Sequence, residues 1–483
     1  MFLGIDIGTS AVKTVLINDR GISVATASAP LSVSRPEATW SEQDPSQWWS
    51  ATNAAVLTLD AALRSKVQAI GLSGQMHGAT VLGKDHLPLR PAILWNDGRS
   101  VAECDALQRA QPDFITYGAN LVMPGFTAPK LAWLQRHEPS VFASTEMVLL
   151  PKDYVRFLMT GEFASDVSDS AGTLWMNVPE RKWHAPLLEA CGLDEAQMPS
   201  LHEGHDVTGQ LRGEVANVWG MASVPVMAGG GDNAAGAVGA GVIDDGETLM
   251  SLGTSGVIFS ACDSFRSKPA SAVHSFCHAV PDRWHLMSVM LSAASCLEWA
   301  RKATNTKSVA DLIQLAASAD SRSDEVFLPY LSGERTPHND AGAKGVLFGV
   351  THDTGPENIA NAVLEGVAFG MADGFDALLS AGAEIETLSV IGGGAQSPYW
   401  GKILASVLDR PLIYRESATV GPAFGAARLA KFGIEGGDVS DSFAPPDILS
   451  VVEPEFDISA ILAPKRARFS KLYQTLKPTF AET

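Results

Sequence analysis

The sequence predicts an α/β protein with two domains of related structure. Segments of helical periodicity alternate with short β-branched runs, which is typical of this class. A strand–turn–strand pattern occurs twice, about half the chain apart, and a Gly/Ala-rich stretch separates the two copies. The 483 residues are sufficient for more than one hydrophobic core. We place the two domains at residues 1–243 and 244–483.

The composition excludes several classes of protein. The chain is 46% hydrophobic and 18% charged, so it folds rather than remaining disordered. Its net charge of −19 disfavours nucleic acid and anionic membranes as partners, and a phosphorylated ligand must be held by backbone dipoles or a metal ion. The five scattered cysteines form no disulfide framework, and no segment suits a signal peptide or a bilayer crossing. We therefore expect a cytoplasmic protein.

Helical spacing and strand-like runs are found in both halves. Apolar residues recur at helical intervals over 45–63 and 356–379, and a shorter helix is expected near 467–476. Strands are expected between the helical segments, at 67–72, 224–228 and 387–391.

Each half begins with a tight turn between two β-branched runs: Gly8-Thr9-Ser10 in the first and Gly253-Thr254-Ser255 in the second. A turn with free N–H groups and small hydroxyls can wrap a phosphate, although an ordinary hairpin turn uses the same residues. Asp6 precedes the first turn, whereas Ser251 takes the corresponding place before the second. A carboxylate on one side only indicates a group that organises a metal ion facing phosphates, the alternative being a turn cap.

A triple glycine precedes Asp232 between a predicted strand and a small-residue helix. Residues 229–234 fit a loose dinucleotide-binding pattern, but Asp232 would then repel the pyrophosphate. A better interpretation is that the glycines admit a substrate and that Asp232 accepts a proton from an alcohol. The alternative is that Asp232 is a helix N-cap.

Two further regions carry polar or glycine-rich turns. Polar residues beside glycine turns at 73–78 and 93–99 suit a polyhydroxylated ligand, although His77 could equally be a buried core histidine. The run Gly392-Gly393-Gly394-Ala395-Gln396 follows a predicted strand. It would allow close contact with a flat group such as adenine, or form a plain connecting loop.

Two motifs carry a resemblance to a known family. GFTAPKLAW at 125–133 and GVLFGV at 345–350, followed by residues 358–365, resemble the two signatures of the FGGY carbohydrate kinases. These kinases share the actin/hexokinase/Hsp70-like ATPase fold, with ribonuclease H-like domains and ATP in the interdomain cleft. Four other segments are similar to those of family members that phosphorylate D-xylulose: SGQMHG at 73–78, ILWNDGR at 93–99, GGGDNAAG at 229–236 and PYLSGERTPH at 329–338.

The resemblance implies a role for each matching position. The first domain would bind D-xylulose and the second ATP, with Asp232 as general base for the C5 hydroxyl and Asp6 organising Mg²⁺ and the attacking group. The expected sugar-binding residues are Gln75, Met76, His77, Trp95, Asn96, Asp97, Arg99 and Asn233. The expected ATP-binding residues are Gly8, Thr9, Ser10, Lys13, Gly253, Thr254, Ser255, Gly392, Gly393, Gly394, Ala395 and Gln396.

Other functions stay open at this point. A different sugar or polyol kinase of the family, acting on ribulose, gluconate or glycerol, would share these motifs. A switch ATPase of the same fold needs no sugar pocket, so Asp232 and the polar residues at 75–99 argue against it. A dehydrogenase has only the loose pattern at 229–234 in its favour. At the family level, a homodimer is the expected assembly.

Overall fold

The computed structural model describes residues 1–319, 324–392, 397–416 and 421–481. Within them lie two seven-stranded sheets, one from each half of the chain, with helices packed against both. The predicted two-domain α/β architecture is confirmed.

The first sheet joins an antiparallel N-terminal meander to parallel strands. Its order is Val207–Gln210, Pro225–Met227, Ala69–Gly74, Phe2–Ile7, Ala11–Ile17 and Ser23–Pro30, with Gly230–Gly231 pairing with the end of Ala69–Gly74.

The second sheet repeats this order with one extra strand, His274–Cys277, at one edge. Its order is His274–Cys277, Trp284–Met290, Gly256–Cys262, Thr248–Leu252, Leu388–Ile391, Leu412–Arg415 and Ile448–Val452. Asp6 lies opposite Lys13 in the first hairpin, and Ser251 lies opposite Val257 in the second. The two strand–turn–strand segments of the sequence are therefore equivalent elements of two related sheets.

The remaining strands form small two-stranded sheets: Glu42–Gln43 with Ala92–Ile93, Thr80–Leu82 with Met147–Leu149, Ala164–Asp166 with Ser200–His202, Met176–Asn177 with Lys182–Trp183, and Val326–Leu328 with Val346–Phe348. The α-helices of the first half are Pro45–Thr58, Ala61–Arg64, Val101–Ala110, Asp113–Thr116, Thr127–His137, Pro139–Ala143, Pro151–Thr160, Val167–Ser170, Ala185–Glu189, Gly213–Trp219 and Asp232–Ala240. Those of the second half are Ala294–Ala303, Val309–Ala316, Pro356–Ser380, Pro398–Leu408, Pro422–Glu435, Val439–Ser442 and Phe456–Phe480.

The helical periodicities are found, with two differences in extent. The stretch 45–63 is two helices, because Leu59 is extended and the Asp60 carboxylate accepts N–H bonds that start a second helix. The stretch 356–379 is one helix, as expected. The C-terminal helix Phe456–Phe480 is far longer than the predicted 467–476. The prediction was too short because the helix contains two prolines, and proline disfavours a helix. Its apolar face packs into the second core and so offsets that cost.

Helix Pro422–Glu435 lies in the second half of the sequence but packs on the first sheet. Glycines allow this close approach. A Cβ on Gly4 or Gly71 would lie 1.8 or 1.9 Å from a carbonyl oxygen of the helix, and one on Gly425 would lie 1.7 Å from the Ala235 oxygen. This helix therefore crosses the predicted division at residue 244 and packs on the sheet of the first half.

Burial also accounts for the cysteines. All five are buried with free thiols, which agrees with the absence of a disulfide framework. In the described part of the chain, no helix has both the length and the apolar character needed to cross a bilayer.

Candidate active site

Three parallel strands end side by side at one edge of the first sheet. Asp6 lies opposite Ser73, and Gly231 lies opposite Gly74 in the adjoining pair. The residues that follow these strand ends are therefore neighbours in space. This register brings Asp6 and Asp232 to the same edge although 226 positions separate them in the chain.

A cavity of about 280 Å³ opens at this edge and is lined by both halves of the chain. This volume suits a small polyol, being just below the roughly 300–1,000 Å³ of pockets for drug-sized ligands. Its lining residues are Met76, His77, Trp95, Met123, Gly125, Phe126, Asp232, Asn233, Ser251, Gly253, Ser255, Val257, Met287, Val289 and Arg335.

Asp232 is the first residue of helix Asp232–Ala240, and Gly231 is its N-cap. The carboxylate is therefore not a cap, which was the alternative left open by the sequence. Asn233 Nδ2 donates to Asp232 Oδ1 at 2.9 Å. Burial, and then the charge of Asp6, raise the pKa of Asp232 to about 7. A carboxyl group with such a pKa can exchange a proton near neutral pH.

The triple glycine before Asp232 is required by the backbone. Gly229 has φ +77°, and a Cβ there would lie 1.8 Å from the Leu72 carbonyl oxygen. A side chain would push the segment away from its neighbouring strand, and Asp232 would leave the cavity with it.

Asp6 is buried at the end of strand Phe2–Ile7. Burial raises its pKa to about 6, and the charge of Lys13 opposes this rise. Lys13 is itself exposed and stands opposite Asp6 in the hairpin. Within the residues described, Asp6 Oδ1 has no hydrogen-bond partner.

Met76 and His77 form the wall of the cavity next to Asp232. His77 has φ +67°, and its Nδ1 lies 2.7 Å from the Gly172 oxygen, so Nδ1 carries the proton and Nε2 is an acceptor. Burial, followed by the charge of Lys130, lowers the pKa of His77 to about 3 and keeps the ring neutral. Lys130 Nζ donates to the His77 oxygen at 2.8 Å and holds this loop.

The first turn is held by the side chains of Gln43, Gln75 and Trp95. Thr9 Oγ1 accepts from Trp95 Nε1 at 3.0 Å and donates to Gln75 Oε1 at 3.1 Å. Gln75 Nε2 donates to Gln43 Oε1 at 2.8 Å, and Gln43 Nε2 donates to the Thr9 oxygen at 2.7 Å. Gln75 is 1% exposed and does not line the cavity. Its amide group supports the first turn, and its predicted sugar contact stays a prediction.

The polar residues after Trp95 also lie outside the cavity lining. Asp97 accepts from the Ser41 N–H at 2.6 Å and pairs with Arg99 at 2.7 Å. The Arg99 guanidinium lies 3.7 Å from the centre of the Trp40 ring. Asp97 and Arg99 thus bond to one another and to neighbouring segments, and their predicted sugar contacts stay predictions. Asn96 is exposed beside Trp95 but is not part of the lining either.

The second turn faces the same cavity from the other domain. Gly253 and Ser255 line it, whereas Thr254 is exposed and its oxygen accepts from Ala293 N at 2.9 Å. In the first turn, Gly8 N donates to the Ala11 oxygen at 3.2 Å and the Ser10 oxygen accepts from Leu31 N.

Gly392 ends the strand beside the second turn. It has φ +98°, and a Cβ there would lie 2.6 Å from the Leu252 oxygen. The other predicted adenosine-loop residues lie outside the described residues: Gly393, Gly394, Ala395 and Gln396.

No role was predicted from sequence for the second-domain wall of the cavity outside the second turn, or for residues 123–126. Arg335 is the charged member of that wall, and burial lowers its pKa. Its signal was present, because PYLSGERTPH was among the segments that carried the resemblance. The apolar lining residues Val257, Met287 and Val289 carry no such signal, since they read as ordinary strand residues.

A cavity between two related domains, with the Asp232 carboxylate on one wall and a hydroxyl-bearing turn on the other, is the arrangement of a two-domain phosphotransferase. The model of the FGGY family of carbohydrate kinases, N-terminal domain, matches residues 1–239, and that of the C-terminal domain matches 248–434. The chain belongs to the FGGY family of carbohydrate kinases.

Three relatives show how close the similarity is. The chain is 53% identical to xylulose kinase of Escherichia coli strain K12 over 484 residues, covering all of both chains. It is 52% identical to xylulose kinase of Klebsiella pneumoniae, covering 99% of each. The crystal structure of a "xyloylose kinase" from Brucella ovis superposes with a TM-score of 0.96 at 46% identity, covering 99% of each chain.

Proposed function

We propose that the protein transfers the γ-phosphoryl group of ATP to the C5 hydroxyl of D-xylulose. The observation that carries the proposal is Asp232, which heads a helix at the wall of a sugar-sized cavity whose opposite wall includes the second turn. The choice of sugar is supported by the relatives, two of which are xylulose kinases more than 50% identical over the whole chain.

Asp232 acts as general base in this proposal. Its carboxylate accepts the C5 hydroxyl proton while the sugar oxygen forms a bond to the γ-phosphorus and the bond from phosphorus to the ADP oxygen breaks. Its pKa of about 7 makes it basic enough to take the proton and still largely ionised at slightly alkaline pH. Met76, His77, Trp95 and Asn233 hold the sugar, with the neutral His77 Nε2 accepting from a sugar hydroxyl.

The two turns bind the phosphates of ATP. Their N–H groups and small hydroxyls supply donors, which an acidic chain needs because its net charge repels the nucleotide. Residues 392–396 contact the adenosine, and the connection at 240–247 acts as the hinge that closes the cleft. Closure on the sugar would exclude water from the cleft. Because this exclusion is incomplete without sugar, we expect some ATP hydrolysis then, at a lower rate than sugar phosphorylation.

The residues present also fit a magnesium ion. In the described chain, Asp6 Oδ1 is buried without a hydrogen-bond partner, and no group of three or more His, Cys, Asp or Glu side chains forms a complete cage. Mg²⁺ is commonly held by one or two carboxylates together with substrate phosphates. Asp6 would hold it, and the bound ion would neutralise charge on the phosphoryl group.

An ADP-release assay with ATP·Mg²⁺ tests the proposal. The sugars are D-xylulose, D-ribulose, L-ribulose, glycerol and gluconate, and the product is analysed by ³¹P NMR for a phosphate coupled to the C5 protons. We expect D-xylulose to stimulate ADP release far above the other four. Stronger stimulation by another sugar would make that sugar the substrate in place of D-xylulose. No stimulation by any of them would favour a switch ATPase of the same fold.

A further inference from the structure

A cluster of five charged side chains lies directly beneath the proposed catalytic edge. Lys152 Nζ is 2.6 Å from Asp153, 2.7 Å from Asp166 and 3.2 Å from Asp169, and Arg156 is 2.9 Å from Asp153. Each of the five is at most 1% exposed. None lines the cavity, and the mechanism above uses none of them.

The cluster contacts the chain on both sides of the triple glycine. Arg156 donates from Nη2 to the carbonyl oxygen of Ala228, just before the glycines. On the other side, Ser168 Oγ accepts from the Gly231 N–H at 3.1 Å and donates to Asp166. Three successive glycines are the most conformationally free segment a chain can have. This one is fixed at each end by a fully buried group.

We propose that the buried charge cluster, acting through Ser168 and Arg156, is a positioning device that fixes residues 228–231 and thereby the carboxylate of Asp232. The catalytic part of this inference rests on the proposed function, whereas the anchoring of the backbone does not. Ser168 and the five charged residues of the cluster are positioning residues, since they act through the backbone and touch no substrate.

The charge of the cluster is suited to a permanent, rigid anchor. Two cations face three carboxyl groups, and burial raises the pKa of Asp169 well above its ordinary value. Asp153 and Asp166 pair with Lys152, and Asp153 also pairs with Arg156. Removing any one charge would leave its partner buried and unpaired, which endangers folding itself. The neutral Ser168 hydroxyl is therefore the place at which to separate the anchor from the cluster.

The chain provides a matched control two residues further along. Ser170 lies in the same short helix, Val167–Ser170, is equally buried, and donates from Oγ to Ser165 Oγ at 2.8 Å. Its hydroxyl bonds to another buried serine and makes no hydrogen bond to the glycines. Ser168→Ala and Ser170→Ala thus remove the same atom from the same environment, and only the first removes the bond to Gly231.

The experiment compares both variants with the wild-type chain by two measurements. Hydrogen–deuterium exchange of a peptide spanning 229–236 reports the anchoring, and steady-state kinetics with D-xylulose and ATP·Mg²⁺ report its catalytic effect. We expect Ser168→Ala to speed exchange in this peptide and to lower kcat about tenfold, with both KM values within twofold. Ser170→Ala should leave exchange and kcat within twofold of wild type at a similar loss of thermal stability.

Each part of the inference can fail separately. Unchanged exchange at 229–236 in Ser168→Ala overturns the anchoring, whatever the substrate is. Faster exchange with an unchanged kcat, or equal losses of kcat in both variants, overturns the catalytic role. A wild-type protein inactive on D-xylulose refutes the proposed function instead, and the exchange measurement still decides the anchoring.

Discussion

Replacing Asp232 by Asn should abolish phosphoryl transfer and stabilise the fold at the same time. The variant keeps the side chain's size and its hydrogen bond from Asn233, but an amide cannot accept the sugar proton. General bases contribute about 10²–10⁴-fold to rate, and we expect a loss of kcat in this range. ATP affinity should be nearly unchanged, because both turns remain intact.

The expected stabilisation follows from the pKa. In the folded chain Asp232 has a pKa of about 7, against an ordinary value of 3.8. At about 1.4 kcal/mol per pH unit the difference corresponds to a ceiling of ~4 kcal/mol. Water in the open cleft reduces this to about 2 kcal/mol.

The sign depends on pH. Because the folded pKa is raised, the neutral acid's advantage is complete below about pH 4. It is lost as pH rises through about 7. The wild type therefore carries the full cost of the buried charge at pH 8, and Asp232→Asn does not.

Urea unfolding at pH 5 and pH 8 measures the effect. Asp232→Asn should be more stable than wild type at both values, by about 2 kcal/mol at pH 8 and by less at pH 5. Asp60→Asn, which alters an exposed helix N-cap outside the cleft, should show no such gain. For the wild type, kcat/KM should fall below about pH 7. A stability difference that does not change with pH would refute the electrostatic reasoning, and a variant retaining more than a few per cent of activity would refute the assignment of the base.

Three further changes test the site and the fold. Trp95→Phe keeps an aromatic ring but removes the indole N–H that donates to Thr9. The loss of a hydrogen bond worth about 1 kcal/mol should raise KM for ATP roughly fivefold, and an unchanged KM would contradict the link. Gln75→Ala removes a side chain that supports the first turn, so it should raise KM for ATP more than KM for the sugar. The opposite pattern would support Gln75 as a sugar contact. Gly425→Ala should lower the melting temperature through a clash costing about 1–3 kcal/mol or more. Gly236→Ala, whose added Cβ meets its nearest atom only at 3.9 Å, should instead gain up to ~1 kcal/mol of folding stability. Equal effects of the two substitutions would contradict the close helix crossing.

The parts of the site that the sequence could predict are those encoded locally. Each hairpin turn lies between its own two strands, so a short pattern is enough to locate it, and the repetition exposed the duplicated sheet. Asp232 was also within reach, because a strand, three glycines and a small-residue helix place the next side chain at a strand end. Parallel pairing then brings it to Asp6, as the register shows.

Polar residues beside the site were harder to assign, because their roles depend on distant partners. Gln75 is satisfied by Gln43, and Asp97 by Ser41, more than 30 positions earlier in both cases. A buried amide or carboxylate must find a partner, but nothing in the local sequence distinguishes a protein partner from a sugar hydroxyl. The same polar residues therefore predict a ligand from sequence, although in the structure Gln75 and Asp97 are bonded to other protein groups.

The returning helix Pro422–Glu435 shows where this limit lies. Gly4 and Gly71 pair directly across two parallel strands, and a Cβ on either would meet the helix backbone. Two small residues at one register position already indicate that another backbone approaches the sheet there. What they cannot indicate is which segment approaches, because Ala and Gly on the helix serve equally well against any closely packed surface. Recognising the partner requires the topology of the second sheet, because the two strands that flank residues 422–435 in the chain, Leu412–Arg415 and Ile448–Val452, both belong to it while the helix packs on the first sheet.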